Sequence, residues 1–573
     1  MIQVSRIITL KQSFEIFDPF ITRKIIKLSI HSLIIIKTMK KITLFAMMAL
    51  GLLTTKVNAQ LQTGENVAVT STDLGKVRGY VHNGIYTYKG IPYAEAKRFE
   101  APQKPKAWSN VRSSLSYGPV SPLMTPTTSV QDESEFVFHH DWGFTNENCL
   151  VLNVWTPGIN DGKKRPVLFW IHGGGFAAGS SQELPSYEGE NLAKKGDVVV
   201  VSINHRLNVL GFLDLSAYGD KYKNSANNSV LDMVAALEWV KANISNFGGD
   251  AGNVTIFGQS GGGGKVNTLM MTPAAKGLFH KAVNQSGAFM SKMLTKAETQ
   301  RLGAEVLKNL NLSADKVDEI QSIPYATLVA ASQKASKTIG DQLKAEGKQV
   351  GNFGLGFGPT LDGNVLPYQF DDAQAVELYK NIPLMIGTVK NEFMASLGAG
   401  LSNGSTEKVT EFIKNRYKDK ADAYLAAVKK AYPNDTKPSD LMDIDLMFRR
   451  GAVNQAKAKA SIAGGAPTYM YLFTWQSPVM DGKYKAIHCI EIPFVFNNIA
   501  RCEEMTGGTK EAYALADKVS QAWINFAKTG NPNHAGLPKW EPYTVDKGAT
   551  MMFDNKCSIS NHHDAELLKV TEQ

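Results

Sequence analysis

The stretch Asn253-Val254-Thr255-Ile256-Phe257-Gly258-Gln259-Ser260-Gly261-Gly262 decides how this chain is read. The β-branched run at its start predicts a strand, and the glycines around Ser260 predict a tight turn opening into a helix. Gly258 and Gly262 have a steric reason. Such a turn holds its serine in a strained backbone conformation, and the flanking chains approach too closely for side chains. The serine oxygen is left exposed at the sheet edge, with the following N–H groups aimed at whatever it attacks. This is the pattern of a nucleophile elbow.

A second signal lies upstream. Pro166-Val167-Leu168-Phe169-Trp170-Ile171 reads as an apolar strand and ends in His172-Gly173-Gly174-Gly175-Phe176. Three consecutive glycines free backbone N–H groups to point into a cavity, as an oxyanion hole for acyl transfer requires. A phosphate cradle would use glycines too, but the nucleotide patterns fail. G-x-G-x-x-G from Gly173 needs glycine where Ala178 stands. A Walker pattern ending at Lys265 needs glycine at Gln259 and a hydroxyl residue at Val266.

From about residue 70 to 545 the chain resembles the type-B carboxylesterases of the α/β-hydrolase fold, the group of cholinesterases and bacterial p-nitrobenzyl esterases. The resemblance runs through Tyr88-Lys89-Gly90-Ile91-Pro92-Tyr93-Ala94, Glu147-Asn148-Cys149-Leu150 and the oxyanion segment. It continues through Asn204-His205-Arg206-Leu207, Phe247-Gly248-Gly249-Asp250, the elbow and Gln285-Ser286-Gly287. It implies a large, mostly parallel central sheet flanked by helices, with cap insertions. Regions near 290–350 and 405–465 are expected to build that cap.

The family's order is Ser, then Asp or Glu, then His. Of the histidines after Ser260, His280 comes too early, His562 and His563 sit in a polar tail, and His534 lies in a turn cluster. His488 begins His488-Cys489-Ile490-Glu491-Ile492-Pro493, which looks like the family's His-Gly-x-Glu-[Ile/Leu]-Pro segment, and is expected to be the base. The resemblance assigns the acid to Glu392, just past the buried strand Pro383 to Val389. It likewise assigns the oxyanion hole to the N–H groups of Gly174, Gly175 and Gly261.

Two positions depart from the family. Gly261 replaces the usual alanine after the nucleophile, and Cys489 replaces glycine after the base. An oxyanion donor needs only its N–H, so Gly261→Ala is expected to be tolerated. Cys489 reads as a packing thiol. The resemblance also pairs Glu147 with Arg206, and it places Trp142 loosely among pocket aromatics. Lys265 is expected on the first turn of the elbow helix, facing its neighbours. Four scattered cysteines do not form a disulfide scaffold, although the loop length allows Cys489–Cys502. No metal or cofactor is expected.

The leader is read separately. Residues 1–38 look like a mis-assigned upstream start. Met39-Lys40-Lys41, the twelve-residue stretch from Ile42 to Leu53 and Val57-Asn58-Ala59 read as a signal peptide over 39–59. Cleavage falls between Ala59 and Gln60, leaving 60–573 as one domain, exported to the periplasm or secreted. The apolar stretch is too short for a span of about twenty residues. The full chain has net charge +9, but residues 1–59 carry nine Lys/Arg and two Asp/Glu of its 62 and 53. The remainder has 53 basic and 51 acidic residues, net +2. No basic block interleaved with aromatics remains, which excludes a nucleic-acid surface of the usual kind.

The chain is thus expected to be a serine carboxylic ester hydrolase acting on small-molecule esters through a covalent acyl-enzyme. Two alternatives stay open: a catalytically silent adhesion member of the fold, and a hydrolase of amide or thioester bonds.

Overall fold

The computed structural model describes Ser32 and residues 60–124, 133–288, 292–348, 350 and 355–572. The leader expected over 1–59 lies outside the described residues, Ser32 apart. Leu61–Gln573 forms one compact unit.

A twelve-stranded sheet organises that unit. Its strands are β1 (Leu61–Gln62), β2 (Tyr80–His82), β3 (Ile85–Pro92), β4 (Val151–Thr156), β5 (Arg165–Ile171) and β6 (Val199–Ile203). They continue as β7 (Gly249–Gln259), β8 (Lys281–Gln285), β9 (Leu384–Val389), β10 (Thr468–Phe473), β11 (Ala549–Phe553) and β12 (Ser558–Asn561). The spatial order is 1-2-3-4-6-5-7-8-9-10-11-12. Strands 6, 5, 7, 8, 9, 10 and 11 run parallel, and the antiparallel pairs lie at the two edges.

The parallel strands are buried on both faces, as their continuous apolar composition requires. Alternation along each strand divides the core into two layers. Val167, Phe169 and Ile171 join one cluster with Val201, Ile256 and Ile386. Leu168 and Trp170 join the other with Val200, Phe257 and Tyr471. Helix α1 (Asn228–Asn243) covers the first layer through Val230, Met233 and Leu237. The long C-terminal helix Lys510–Thr529 covers the second through Leu515, Val519 and Trp523.

The elbow helix α2 (Gly261–Met270) follows β7 directly. Helices α3 (Lys296–Asn309) and α4 (Tyr325–Ala345) add Leu302, Val306, Leu328 and Ile339 to the first layer. Helices α5 (Thr406–Tyr417) and α6 (Ala421–Ala431) form their own cluster with Leu472 of β10 and Met552 of β11. Helix α7 (Met447–Ala460) departs from the cap expected over 405–465. It packs on β9 and β10, because Ala452, Val453 and Ala456 form an apolar stripe that the sheet buries.

Candidate active site

Ser260 sits between β7 and α2 with φ 58° and ψ −126°, a backbone conformation that costs energy for a residue with a Cβ. The turn is possible because its glycines interlock. A Cβ on Gly258 would stand 2.6 Å from both Ile171 O and Gly262 C. Ser260 N–H donates to Gln285 O at 2.8 Å, which ties the turn to β8. The serine is half-buried at the N-terminus of α2, whose first N–H groups have no intrahelical acceptor.

Glu392 and His488 reach the same end of the sheet by a register effect. Both follow parallel strands, β9 and β10, and the chain continues the pairing as an isolated bridge between Asn391 and Ile487. His488 N–H donates to Glu392 O at 3.1 Å, so the two side chains stand next to one another. His488 Nδ1 donates to Glu392 Oε2, since a carboxylate only accepts. Glu392 is fully buried, and its Oε1 accepts from Val389 N–H at 3.1 Å. The Asn391 side chain clamps the crossing, donating to Asp443 O at 3.0 Å and accepting from Ala486 N–H at 3.2 Å.

Burial opposes a charge on His488, but Glu392, with help from Glu491 and Asp445, outweighs it and raises the imidazole pKa. Glu491 and Asp445 are themselves pushed upward, first by burial and then by the charge of Glu392, Glu491 to about 7. Gln259 links the imidazole to the strand that runs into Ser260. Its Nε2 lies 3.3 Å from His488 Nε2, and its Oε1 accepts from the Cys489 thiol at 3.2 Å. Among the described residues no hydrogen bond joins Ser260 Oγ to His488. Contacts of this kind are often long until substrate binds.

The glycine segment lies against the elbow, where a Cβ on Gly173 would stand 3.6 Å from Ser260 Cβ. Gly174 and Gly175 have φ of 78° and 64°, the left-handed region that favours glycine. Among the described residues neither N–H donates to a protein acceptor. Gly261 is packed more tightly than its sequence suggests. A methyl there would run into the backbone of Gly175, so the expected tolerance of Gly261→Ala is corrected. The missing methyl is the space the glycine segment occupies.

Cys489 has φ 75°, which explains why glycine suits this position. Burial pushes its thiol far above the ordinary range, as expected of a packing group. All four cysteines are free thiols, so Cys489 and Cys502 are unpaired.

The expected Glu147–Arg206 pair is also corrected. Arg206 Nε and Nη2 donate to Asp232 at 2.8 and 2.6 Å, both side chains being buried, and Glu147 pairs with Arg98. Asp232 takes the guanidinium because α1 presents its carboxylate directly beneath the loop after β6. Trp142 stacks on His140 with centroids 4.4 Å apart. It lines a cavity of about 350 Å³ with Glu183 and Tyr325. Phe393 and Phe448 flank the His488 ring at 4.7 and 5.5 Å, an aromatic wall that no sequence pattern signalled.

Fold and elbow together define an α/β-hydrolase. The chain belongs to the carboxylesterase family, whose model, described as "Carboxylesterase family", matches residues 66–570. It is 35% identical to the para-nitrobenzyl esterase of Bacillus subtilis, covering 87% of this chain and 97% of that one. It is 32% identical to liver carboxylesterase 1 of Oryctolagus cuniculus, over 81% of this chain and 85% of that one. A solved esterase from Clostridium hathewayi, described as able to hydrolyze aliphatic aromatic polyesters, superposes with a TM-score of 0.77 at 36% identity. The match covers 89% of this chain and 98% of that one. The protein is a carboxylesterase, and small esters are its substrate class. Among the described residues no helix is long and apolar enough to cross a membrane.

Proposed function

We propose that the protein hydrolyses carboxylic esters through a covalent acyl-enzyme built on Ser260. Ser260 Oγ attacks the ester carbonyl while His488 takes its proton, and Glu392 holds the imidazole in the required tautomer and stabilises the imidazolium. His488 then returns the proton to the leaving alcohol. Water attacks the acyl-enzyme with His488 again as base and frees Ser260. The N–H groups of Gly174, Gly175 and Gly261 bind the developing oxyanion. The observation that carries this reading is the His488–Glu392 pair in contact with Gln259, the residue that precedes a serine in an elbow conformation. The relatives described by p-nitrobenzyl esterase activity and by hydrolysis of aliphatic aromatic polyesters, and the Phe393 and Phe448 walls, favour apolar esters as substrates.

Ser260→Ala is expected to fold normally and to lose turnover of p-nitrophenyl butyrate, down to a residual catalysis about 10³–10⁴ above water. Near-native activity in that variant would overturn the mechanism.

Residues 39–59 serve, in the same reading, as an export signal cleaved before Gln60. This rests on the basic start, the short apolar run and the small residues Val57 and Ala59. N-terminal sequencing of the exported protein is expected to begin at Gln60. Uncleaved protein retained in the cytoplasm would contradict it.

A further inference from the structure

Lys265 lies in the first turns of α2, as expected, and its side chain is fully buried. Among the described residues it has no carboxylate partner within ion-pair distance. Instead its Nζ donates to His172 O at 3.0 Å and to Gly173 O at 3.2 Å, two successive carbonyls of the glycine segment. The surroundings give it little electrostatic support. The rings of His172 and His205 stack 4.9 Å apart, and burial, then the charge of Lys265, holds both well below the usual imidazole range. Glu183, itself pushed up by burial, is the carboxylate that favours the ammonium. Burial nonetheless pulls Lys265 down to about 7. An amine in such a place is costly to the fold.

The two carbonyls suggest what offsets that cost. In a planar trans peptide the C=O and the next N–H point in opposite directions. His172 O shares its peptide with Gly173 N–H, and Gly173 O shares its peptide with Gly174 N–H. Drawing both oxygens toward Lys265 therefore turns both N–H groups away from it. A cationic donor on the carbonyl also polarises the peptide and strengthens its N–H as a donor, as in any hydrogen-bonded chain.

We propose that Lys265 is a positioning residue for ester hydrolysis, its ammonium aiming and polarising the Gly174 N–H through the Gly173 carbonyl, while its bond to the His172 carbonyl fixes the preceding peptide. The proposal rests on the reading of Gly174 as an oxyanion donor. It predicts that Lys265 acts on the transition state and hardly on the bound ester.

The test compares Lys265→Met, which keeps much of the volume without a donor, with Lys265→Gln, which keeps a neutral donor. Each is assayed with p-nitrophenyl butyrate and with two inhibitors. One is an alkyl trifluoromethyl ketone, whose carbonyl carbon takes Ser260 Oγ as the proton passes to His488, leaving an oxyanion. The other is the matching methyl ketone, which probes ground-state binding. Lys265→Met is expected to lower kcat roughly 10- to 100-fold, less than outright loss of an oxyanion donor, with KM changed less than about twofold. The trifluoromethyl ketone Ki rises by the same factor, the methyl ketone Ki stays, and Lys265→Gln recovers part of kcat. A folded Lys265→Met with native kcat overturns the proposal, as does a lower kcat with an unmoved trifluoromethyl ketone Ki. If Lys265→Met does not fold, Lys265→Gln is held to the same inhibitor criterion. Ser260→Ala separates the two readings: an inactive Ser260→Ala beside a fully active Lys265→Met removes only Lys265, whereas an active Ser260→Ala removes the site itself.

Discussion

His488 shows how one imidazole is tuned by what surrounds it. Burial alone would hold it neutral, but Glu392, Glu491 and Asp445 place three carboxyl groups around the ring, and its pKa rises. The proposed base works only when neutral, so kcat/KM is expected to rise with pH through a midpoint above about 6.5, the ordinary imidazole value. Glu392→Gln removes the strongest of the three influences. Its midpoint is expected to move to lower pH while kcat falls about 10⁴-fold, as loss of a triad carboxylate does elsewhere. A pH–rate profile of both proteins checks this, and a midpoint that stays put in the variant would count against Glu392 as the controlling group. The linkage runs opposite to activity. A raised imidazole pKa contributes stability fully below about 6.5, and that contribution is lost as pH climbs through the folded value. The pH that frees the base also removes a little of what holds its loop.

The loops after β9 and β10 show how elements deliver side chains to one place. Each strand is legible from its apolar run, and each ends where the parallel pairing stops. The isolated bridge between Asn391, just past β9, and Ile487, at the far end of the longer loop after β10, sets Glu392 beside His488. Asn391 is the clamp, with hydrogen bonds to Asp443 O and from Ala486 N–H. Asn391→Ala leaves two buried backbone groups unpaired, which is expected to cost about 1–3 kcal/mol. Because misplacement of about 1 Å can cost 10²-fold in rate, kcat is expected to fall by up to about that factor. Thermal unfolding and kcat measured on the same preparation test both halves. A lower melting temperature with native kcat would mean that the bridge holds the loops without its clamp.

Over the full compact unit, the start of the short helix Ala565–Val570 is bound to α7 by a buried ion pair. Arg449 on α7 donates to Asp564 through Nε at 2.7 Å and Nη2 at 3.0 Å, and both side chains are almost fully enclosed. Burial disfavours both charges, yet each keeps the other ionised, with Arg449 raised and Asp564 lowered. Removing one partner strands the other, so Arg449→Leu is expected to cost about 3–5 kcal/mol. The double variant Arg449→Leu/Asp564→Leu is expected to recover much of that loss, because paired charges are replaced by paired apolar groups. Urea unfolding of the single and double variants decides it. Equal destabilisation in both would assign the effect to packing rather than to charge.

Much of this was readable without a structure. Steric rules are local, so the glycines around Ser260 marked the strand–turn–helix junction, and the apolar runs marked the buried parallel strands. The order of Ser260, Glu392 and His488 followed from motifs that sit at strand ends. What the sequence by itself could not determine were contacts between segments far apart, since these depend on strand register and helix rotation. Arg206 meets Asp232 rather than Glu147 because of how α1 faces the loop after β6. Gly261 makes room for Gly175 only once the two turns are pressed together. Lys265 finds its acceptors 93 and 92 residues upstream, where only the packing of α2 against the end of β5 brings two carbonyls within reach of a buried amine.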